Sequence, residues 1–147
     1  MTLKCSVEAD ATPAFAWQYR TDVSNWNDPP ARFFLHGPFE VGSVGTTELP
    51  EQTPLQWRIA EVLPFESFVV EMPLDRAILT FRWQFEELPG LRTRLTQEIV
   101  LSGENSAAYA AQVESGLGFN LEPGMKRIAA EMSSASMRNA NECQRTG

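Results

Sequence analysis

Apolar and polar residues alternate along much of the first hundred positions, a pattern typical of strands that bury one face. Residues 2–9 and 79–86 show it most clearly, with apolar side chains at every second position. Similar segments recur between residues 31 and 101, and short turns rich in glycine and proline separate them. Strands joined by short turns must be antiparallel. The sequence therefore predicts a seven-stranded antiparallel sheet, with one strand before residue 10 and six after residue 30.

Two short helices are predicted between the first and second strands. Thr12 is suited to cap a helix that begins at Pro13, because a proline at the first helical position lacks only a donor that the helix does not use. This helix ends near Arg20. A second short turn then runs through Trp26 until two prolines terminate it.

After residue 105 the spacing between apolar residues changes from two to three or four, which indicates a helix. Residues 107–117 are rich in alanine, and Gly116 and Gly118 interrupt them, so we expect a new helix to begin near Pro123. Its apolar stripe consists of Leu121, Met125, Ile128, Met132 and Ala135. The polar residues from 137 onward are expected to fray.

This order of elements predicts an α+β fold. A sheet with one apolar face must be covered, and the terminal helix carries the matching stripe. Right-handed twist accumulates in a long sheet, so we expect the sheet to curve around that helix and to leave a space between them. The prediction is a single domain over residues 1–138, followed by a polar tail at 139–147.

Charge and composition narrow the class of function. Twelve basic residues against nineteen acidic ones give a net charge of −7, which disfavours nucleic-acid binding. The chain has no basic run for an anionic membrane, no apolar run near the ~18 residues that span a bilayer, and no apolar signal-peptide core at its start. We therefore expect a cytoplasmic protein without membrane insertion. Zinc-ligand spacings and nucleotide-binding motifs are also missing, so no metal or cofactor is expected.

Four tryptophans and nine phenylalanines supply either a filled core or the walls of a cavity, because ligand cavities favour aromatic walls. Twelve residues are predicted to line the space under the terminal helix, most of them from strand or helix phase, Trp26 from its place near the expected mouth, and Phe34 from a strand whose phase is ambiguous: Trp26, Phe34, Trp57, Phe68, Val70, Phe81, Trp83, Leu95, Gln97, Met125, Ile128 and Met132. A solid core would give the same pattern. Gln97 would be either a polar anchor for a ligand or an amide that is hydrogen-bonded to backbone or to a buried water, and the second is favoured because buried polar groups are usually satisfied.

His36 is the only histidine and is the candidate catalytic residue, because imidazole suits proton transfer near neutral pH. This role requires His36 to face the cavity. Its strand leaves the direction open, since Phe33 and Leu35 on one face are as apolar as Phe34 on the other. The alternative is a histidine on the surface or at the rim.

Several short motifs resemble the polyketide cyclase/dehydrase branch of the START-like, Bet v 1-like (SRPBCC) helix-grip superfamily. They are Thr12-Pro-Ala-Phe-Ala-Trp17 with Asp22 and Trp26-Asn27, Leu35-His-Gly-Pro-Phe39 with Gly42 and Gly45, Trp57-Arg-Ile-Ala-Glu-Val62, Thr93-Arg-Leu95, and Gly124-Met-Lys-Arg-Ile128. Their order and spacing across residues 2–137 carry the resemblance. It implies a sheet wrapped around a long C-terminal helix, with an internal cavity for lipids, polyketides, hormones or other apolar molecules. It implies no universal set of catalytic residues.

The leading hypothesis is therefore binding of a small apolar or aromatic molecule, with cofactor-free cyclase or dehydratase activity as its refinement. The alternative is a protein-interaction module of the chaperone-activator (Hsp90 ATPase activator-like) type. An exposed apolar patch and a collapsed cavity would favour that alternative. A homodimer through residues 106–118 or through an edge strand is compatible with either function.

Overall fold

The alternating segments form one antiparallel sheet of seven strands, as predicted. The structure is a computed structural model that describes residues 1–146, with side chains described up to residue 142. The strands are β1 (Thr2–Ala9), β2 (Arg32–His36), β3 (Val44–Glu48), β4 (Leu55–Leu63), β5 (Ser67–Leu74), β6 (Ala77–Leu88) and β7 (Arg92–Ser102). The helices are α1 (Pro13–Arg20), α2 (Ser106–Val113) and α3 (Phe119–Thr146), with a 3-10 turn at Val23–Asn25 and a π turn at Glu114–Gly118.

The strand order is β1-β7-β6-β5-β4-β3-β2, so β1 and β2 are the two edges. Consecutive strands from β2 to β7 are neighbours, and the one long connection, from β1 to β2, carries α1 and the 3-10 turn. A register shift between Ile59 and Glu61 in β4 marks a bulge, which increases local twist. The curved sheet wraps around α3, which confirms the predicted helix-grip architecture.

The caps of the two short helices follow the sequence signals. The Thr12 hydroxyl accepts a hydrogen bond from the Phe15 amide at 3.2 Å, and Pro13 is the first residue of α1. The Asp22 carboxylate accepts from the Ser24 amide at 3.1 Å and caps the 3-10 turn. These caps fix where α1 and the 3-10 turn begin.

The C-terminal helix differs from its prediction. The glycines do not break it, since α2 continues through the π turn into α3, and Pro123 lies inside α3. A proline removes one i→i−4 hydrogen bond, and the adjacent π turn, a common site of helix adjustment, lets the chain continue. The predicted polar tail is helical as far as Thr146, and Gly147 lies outside the described residues.

Two apolar clusters lie on the concave side of the sheet. The larger one joins the sheet to α1 and α3 and includes the buried residues Trp57, Phe68, Trp83, Leu95 and Met132. The smaller one, which contains Leu79, Ile99 and Leu101, is covered by Val113 of α2. Residues 106–118 thus close one end of the sheet.

The convex face carries ion pairs such as Arg58 with Glu71 at 2.7 Å and Arg94 with Glu86 at 3.1 Å. Exposed pairs of this kind contribute little to stability. Within the described residues, no helix is long and apolar enough to cross a membrane.

Candidate functional site

A cavity of about 450 Å³ lies between the sheet and α3. Its walls come from the central strands, from α3 and from the segment after α1, and most of the lining is apolar. Nine of the residues predicted from sequence line it: Trp26, Trp57, Phe68, Val70, Phe81, Trp83, Gln97, Met125 and Ile128. The interior is therefore partly open, and a void of this size fits the usual range for small-molecule sites, roughly 300–1,000 Å³.

Stacked tryptophans form one side of the cavity. The rings of Trp26 and Trp57 stack with centroids 5.3 Å apart, and Phe33 meets Trp26 edge-on at 5.7 Å. Each indole N–H is already bound, since Trp57 Nε1 donates to Thr47 Oγ1 at 3.0 Å and Trp26 Nε1 donates to the Arg20 carbonyl at 2.7 Å. The two indoles are thus fixed in place by hydrogen bonds at their edges.

Phe34 and His36 lie on the convex face of β2, not in the cavity. This corrects the predicted inward direction of Phe34 and gives the direction of His36, which the sequence left open. Phe34 is 37% exposed and lies under the Arg32 guanidinium. The His36 Nε2 atom is 2.9 Å from the Thr46 hydroxyl, also on the outer side. The inward positions of β2 belong to Phe33 and Leu35, which pack against the main cluster. The structure therefore places the candidate catalytic histidine away from the cavity.

Leu95 and Met132 face inward as predicted, but they do not line the cavity. Both have no exposed surface and belong to the main cluster. Leu95 pairs with Val7 and Phe85 on the neighbouring strands, so other side chains cover it completely. These two residues form the solid part of the core.

Arg20, at the end of α1, is one of the wall residues that the sequence did not predict, and it carries a charge. Its guanidinium carbon lies 4.1 Å from the ring centroid of Trp83 and 4.7 Å from that of Trp26. Its Nε atom is buried without a hydrogen-bond partner. Across the described residues, its guanidinium makes no ion pair or side-chain hydrogen bond. Two indole faces therefore hold this cation, while its donors stay unused.

The apolar surroundings of Arg20 make its charged form less stable. Burial lowers the pKa of Arg20 to about 9, and nearby Tyr19, Asp28 and Glu131 act in the opposite direction. The group stays cationic at neutral pH. Among the described residues that line the cavity, the other ionisable groups are Asp28 and Arg127, which pair with each other at 3.1 Å. Positive charge thus exceeds negative charge on the walls.

Gln97 is another polar group on the cavity wall whose side chain has no hydrogen-bond partner in the described structure. It lies directly opposite Trp83 in the β6–β7 register, the same tryptophan that supports Arg20. The described part of the structure gives its side-chain amide no hydrogen bond to another protein group. Side chains directly opposite one another in a sheet are in contact range. Arg20 and Gln97 are therefore neighbours of one indole, that of Trp83.

A second depression lies on the surface between the 3-10 turn and α3, where Ser24, Asn25, Glu131 and Arg138 give it polar walls. Trp26 borders both this depression and the cavity, so it separates the interior from the surface. No group of three potential metal ligands occurs among the described residues.

Comparison with known proteins identifies the architecture. No family model matches the chain, and no curated protein matches it. A norcoclaurine synthase point mutant from Thalictrum flavum, in complex with a transition-state analogue, superposes with a TM-score of 0.72 at 10% identity, over 95% of this chain and 96% of that one. The chain has the Bet v 1-like helix-grip fold.

Two bacterial structures share this helix-grip fold. Protein Ms6760 from Mycobacterium smegmatis superposes with a TM-score of 0.66 at 18% identity and covers 91% of this chain and 92% of its own. TTHA0849 from Thermus thermophilus gives a TM-score of 0.68 at 12% identity, over 92% of this chain and 99% of its own. At these identities the likeness concerns the fold alone, and many functions share one fold.

Proposed function

We propose that the protein binds a small apolar or aromatic molecule in the cavity between the sheet and α3. The observation that carries this proposal is the void of about 450 Å³ inside an otherwise well-packed domain. Replacing water in such a void by an apolar ligand is favourable, because the apolar walls and the ligand are both removed from water. A structure of the same fold with a transition-state analogue bound, that of norcoclaurine synthase, supports the view that this fold can hold a small molecule.

Binding fits the geometry better than acid–base catalysis of a cyclase or dehydratase type. Proton transfer requires a titratable group within hydrogen-bond reach of the substrate. Within the described structure, Asp28 is the one carboxylate on the cavity wall, and Arg127 holds it. His36 lies outside. The open cavity also favours a small-molecule role over the chaperone-activator alternative, for which a collapsed interior is expected.

Partial filling of the cavity should weaken the binding of an apolar probe. We expect N-phenyl-1-naphthylamine, a neutral dye, to gain fluorescence with the wild-type protein. Val70→Phe adds bulk to a buried wall residue. It should lower the affinity for the dye about tenfold, because overpacking costs about 1–3 kcal/mol. Val44→Phe is the matched control, since Val44 is 42% exposed outside the cavity.

Native mass spectrometry of freshly purified protein provides the second measurement. We expect an adduct that solvent extraction removes, and we expect its occupancy to fall in Val70→Phe but not in Val44→Phe. Equal dye binding by both variants would show that the dye binds elsewhere. A protein without an adduct and without dye binding would contradict the proposed function.

A further inference from the structure

We propose that the ligand is a carboxylate, and that Arg20 binds its carboxyl group inside the cavity. The inference rests on the proposed function and adds the chemical class of the ligand. Buried polar groups are almost always satisfied, so an unpartnered buried guanidinium nitrogen requires an explanation. Nε itself has no accessible surface, so a ligand acceptor would bind the terminal Nη groups of this wall residue, which likewise make no hydrogen bond in the described structure.

The way in which Arg20 is held leaves its donors free. Stacking on an aromatic face uses the plane of a guanidinium, whereas its N–H groups point outward in that plane. Trp83 and Trp26 supply such faces at 4.1 and 4.7 Å. The hydrogen bond from Trp26 Nε1 to the Arg20 carbonyl fixes that ring to the same residue. Two indoles thus orient the cation without neutralising it.

The charge balance favours an anion. The protein has a net charge of −7, yet no carboxylate pairs with Arg20 in the described structure. The carboxylate on the cavity wall, Asp28, is bound by Arg127 instead. A buried charge is costly unless it is paired. A ligand anion would complete the pair that the protein leaves open.

The geometry favours a planar anion with one charge. A guanidinium matches a carboxylate with two parallel N–H···O bonds. One unpaired arginine compensates one negative charge, whereas a phosphate dianion would leave a second charge in apolar surroundings. The Gln97 amide, beside Trp83, offers a further donor to a carboxylate oxygen. The remaining wall is apolar and suits an aromatic or aliphatic body.

Calorimetric titration at pH 7.5 with 2-naphthoate and its neutral counterpart 2-naphthamide tests the inference. We expect wild-type protein to bind 2-naphthoate more tightly by about tenfold or more, the usual value of a hydrogen bond to a charged group. In Arg20→Gln this preference should disappear while 2-naphthamide still binds. Arg58→Gln removes the same charge from the convex face, where Arg58 pairs with Glu71, and should keep the preference.

The other possible results separate a failure of the carboxylate proposal from a failure of the proposed binding function. Equal affinities of both compounds for the wild type, or a preference that survives in Arg20→Gln, would overturn the carboxylate while leaving the binding function intact. Tighter binding of 2-naphthyl phosphate than of 2-naphthoate would overturn the inference that the ligand is a planar anion with one charge. Binding of neither naphthoate nor naphthamide, nor of N-phenyl-1-naphthylamine, would overturn the function itself. If Arg20→Gln does not fold, Arg20→Lys and the wild-type ratio still decide, since lysine keeps the charge but loses the two-pronged contact.

Discussion

Replacement of Gly45 by alanine is expected to lower the free energy of unfolding by about 2–3 kcal/mol, as overpacking of a filled site does. Gly45 lies opposite Trp57 in the β3–β4 register, and the indole ring lies directly over it. A Cβ at this position would overlap the six-membered ring of Trp57. The ring has no easy retreat, because Thr47 holds its N–H at 3.0 Å and Trp26 stacks on it. Chemical denaturation measures the change.

Gly45→Ala should also weaken the binding of N-phenyl-1-naphthylamine, since Trp57 forms part of the cavity wall. Gly116→Ala is the control, because a Cβ there meets no atom within 4 Å and Gly116 lies in the π turn between α2 and α3, outside the cavity wall. In a helix interior alanine is favoured over glycine, so this variant should gain up to about 1 kcal/mol. A Gly45→Ala variant as stable as the wild type would mean that the indole can leave its position freely.

Strand phase predicted most of the sheet, because alternation reports directly which face is buried. It failed in β2, where consecutive apolar residues hide the alternation. Arg32 shares the phase of Phe34 and His36, and its charge could have marked that face as outward. In the structure Arg32 pairs with Glu48 and lies over Phe34. A single charged residue was thus the available signal.

The burial of Arg20 could not be predicted from its neighbours in sequence. An arginine in the last turn of a helix is favoured by the helix dipole and is normally exposed. Its burial depends on Trp83, which is distant in sequence and reaches it only when β6 passes beneath α1. Local pattern gives the end of α1, whereas the tertiary fold decides what that end touches.

The sequence also could not predict which inward-facing residues line the cavity and which belong to the solid core. Inward phase is common to Phe81, which lines the void, and to Leu95, which does not. The difference arises from what covers each residue. Leu95 lies between Val7 and Phe85 in the register, near the edge where β1 and α1 complete the packing. Phe81 lies farther along the sheet, under the part of α3 that does not fill the gap.

This division leads to a prediction of opposite effects. Leu95→Ala should lower the free energy of unfolding by about 3 kcal/mol, within the range for a fully buried leucine, because it leaves a void that the packed core cannot close. Its affinity for N-phenyl-1-naphthylamine should change little in protein that remains folded. Denaturant unfolding and dye titration of the same preparation measure both quantities.

Phe81→Leu is the matched wall variant, and we expect the reverse ranking. Phe81 is only partly buried and already borders empty space, so its shortening should cost roughly 1 kcal/mol. The affinity for the dye should fall more than in Leu95→Ala, because the ring contacts the space that the dye occupies. If Leu95→Ala weakened the dye as strongly as Phe81→Leu while both remained folded, the core and the cavity would not be separate parts of the interior. The dye-binding void would then extend to Leu95, beside β1.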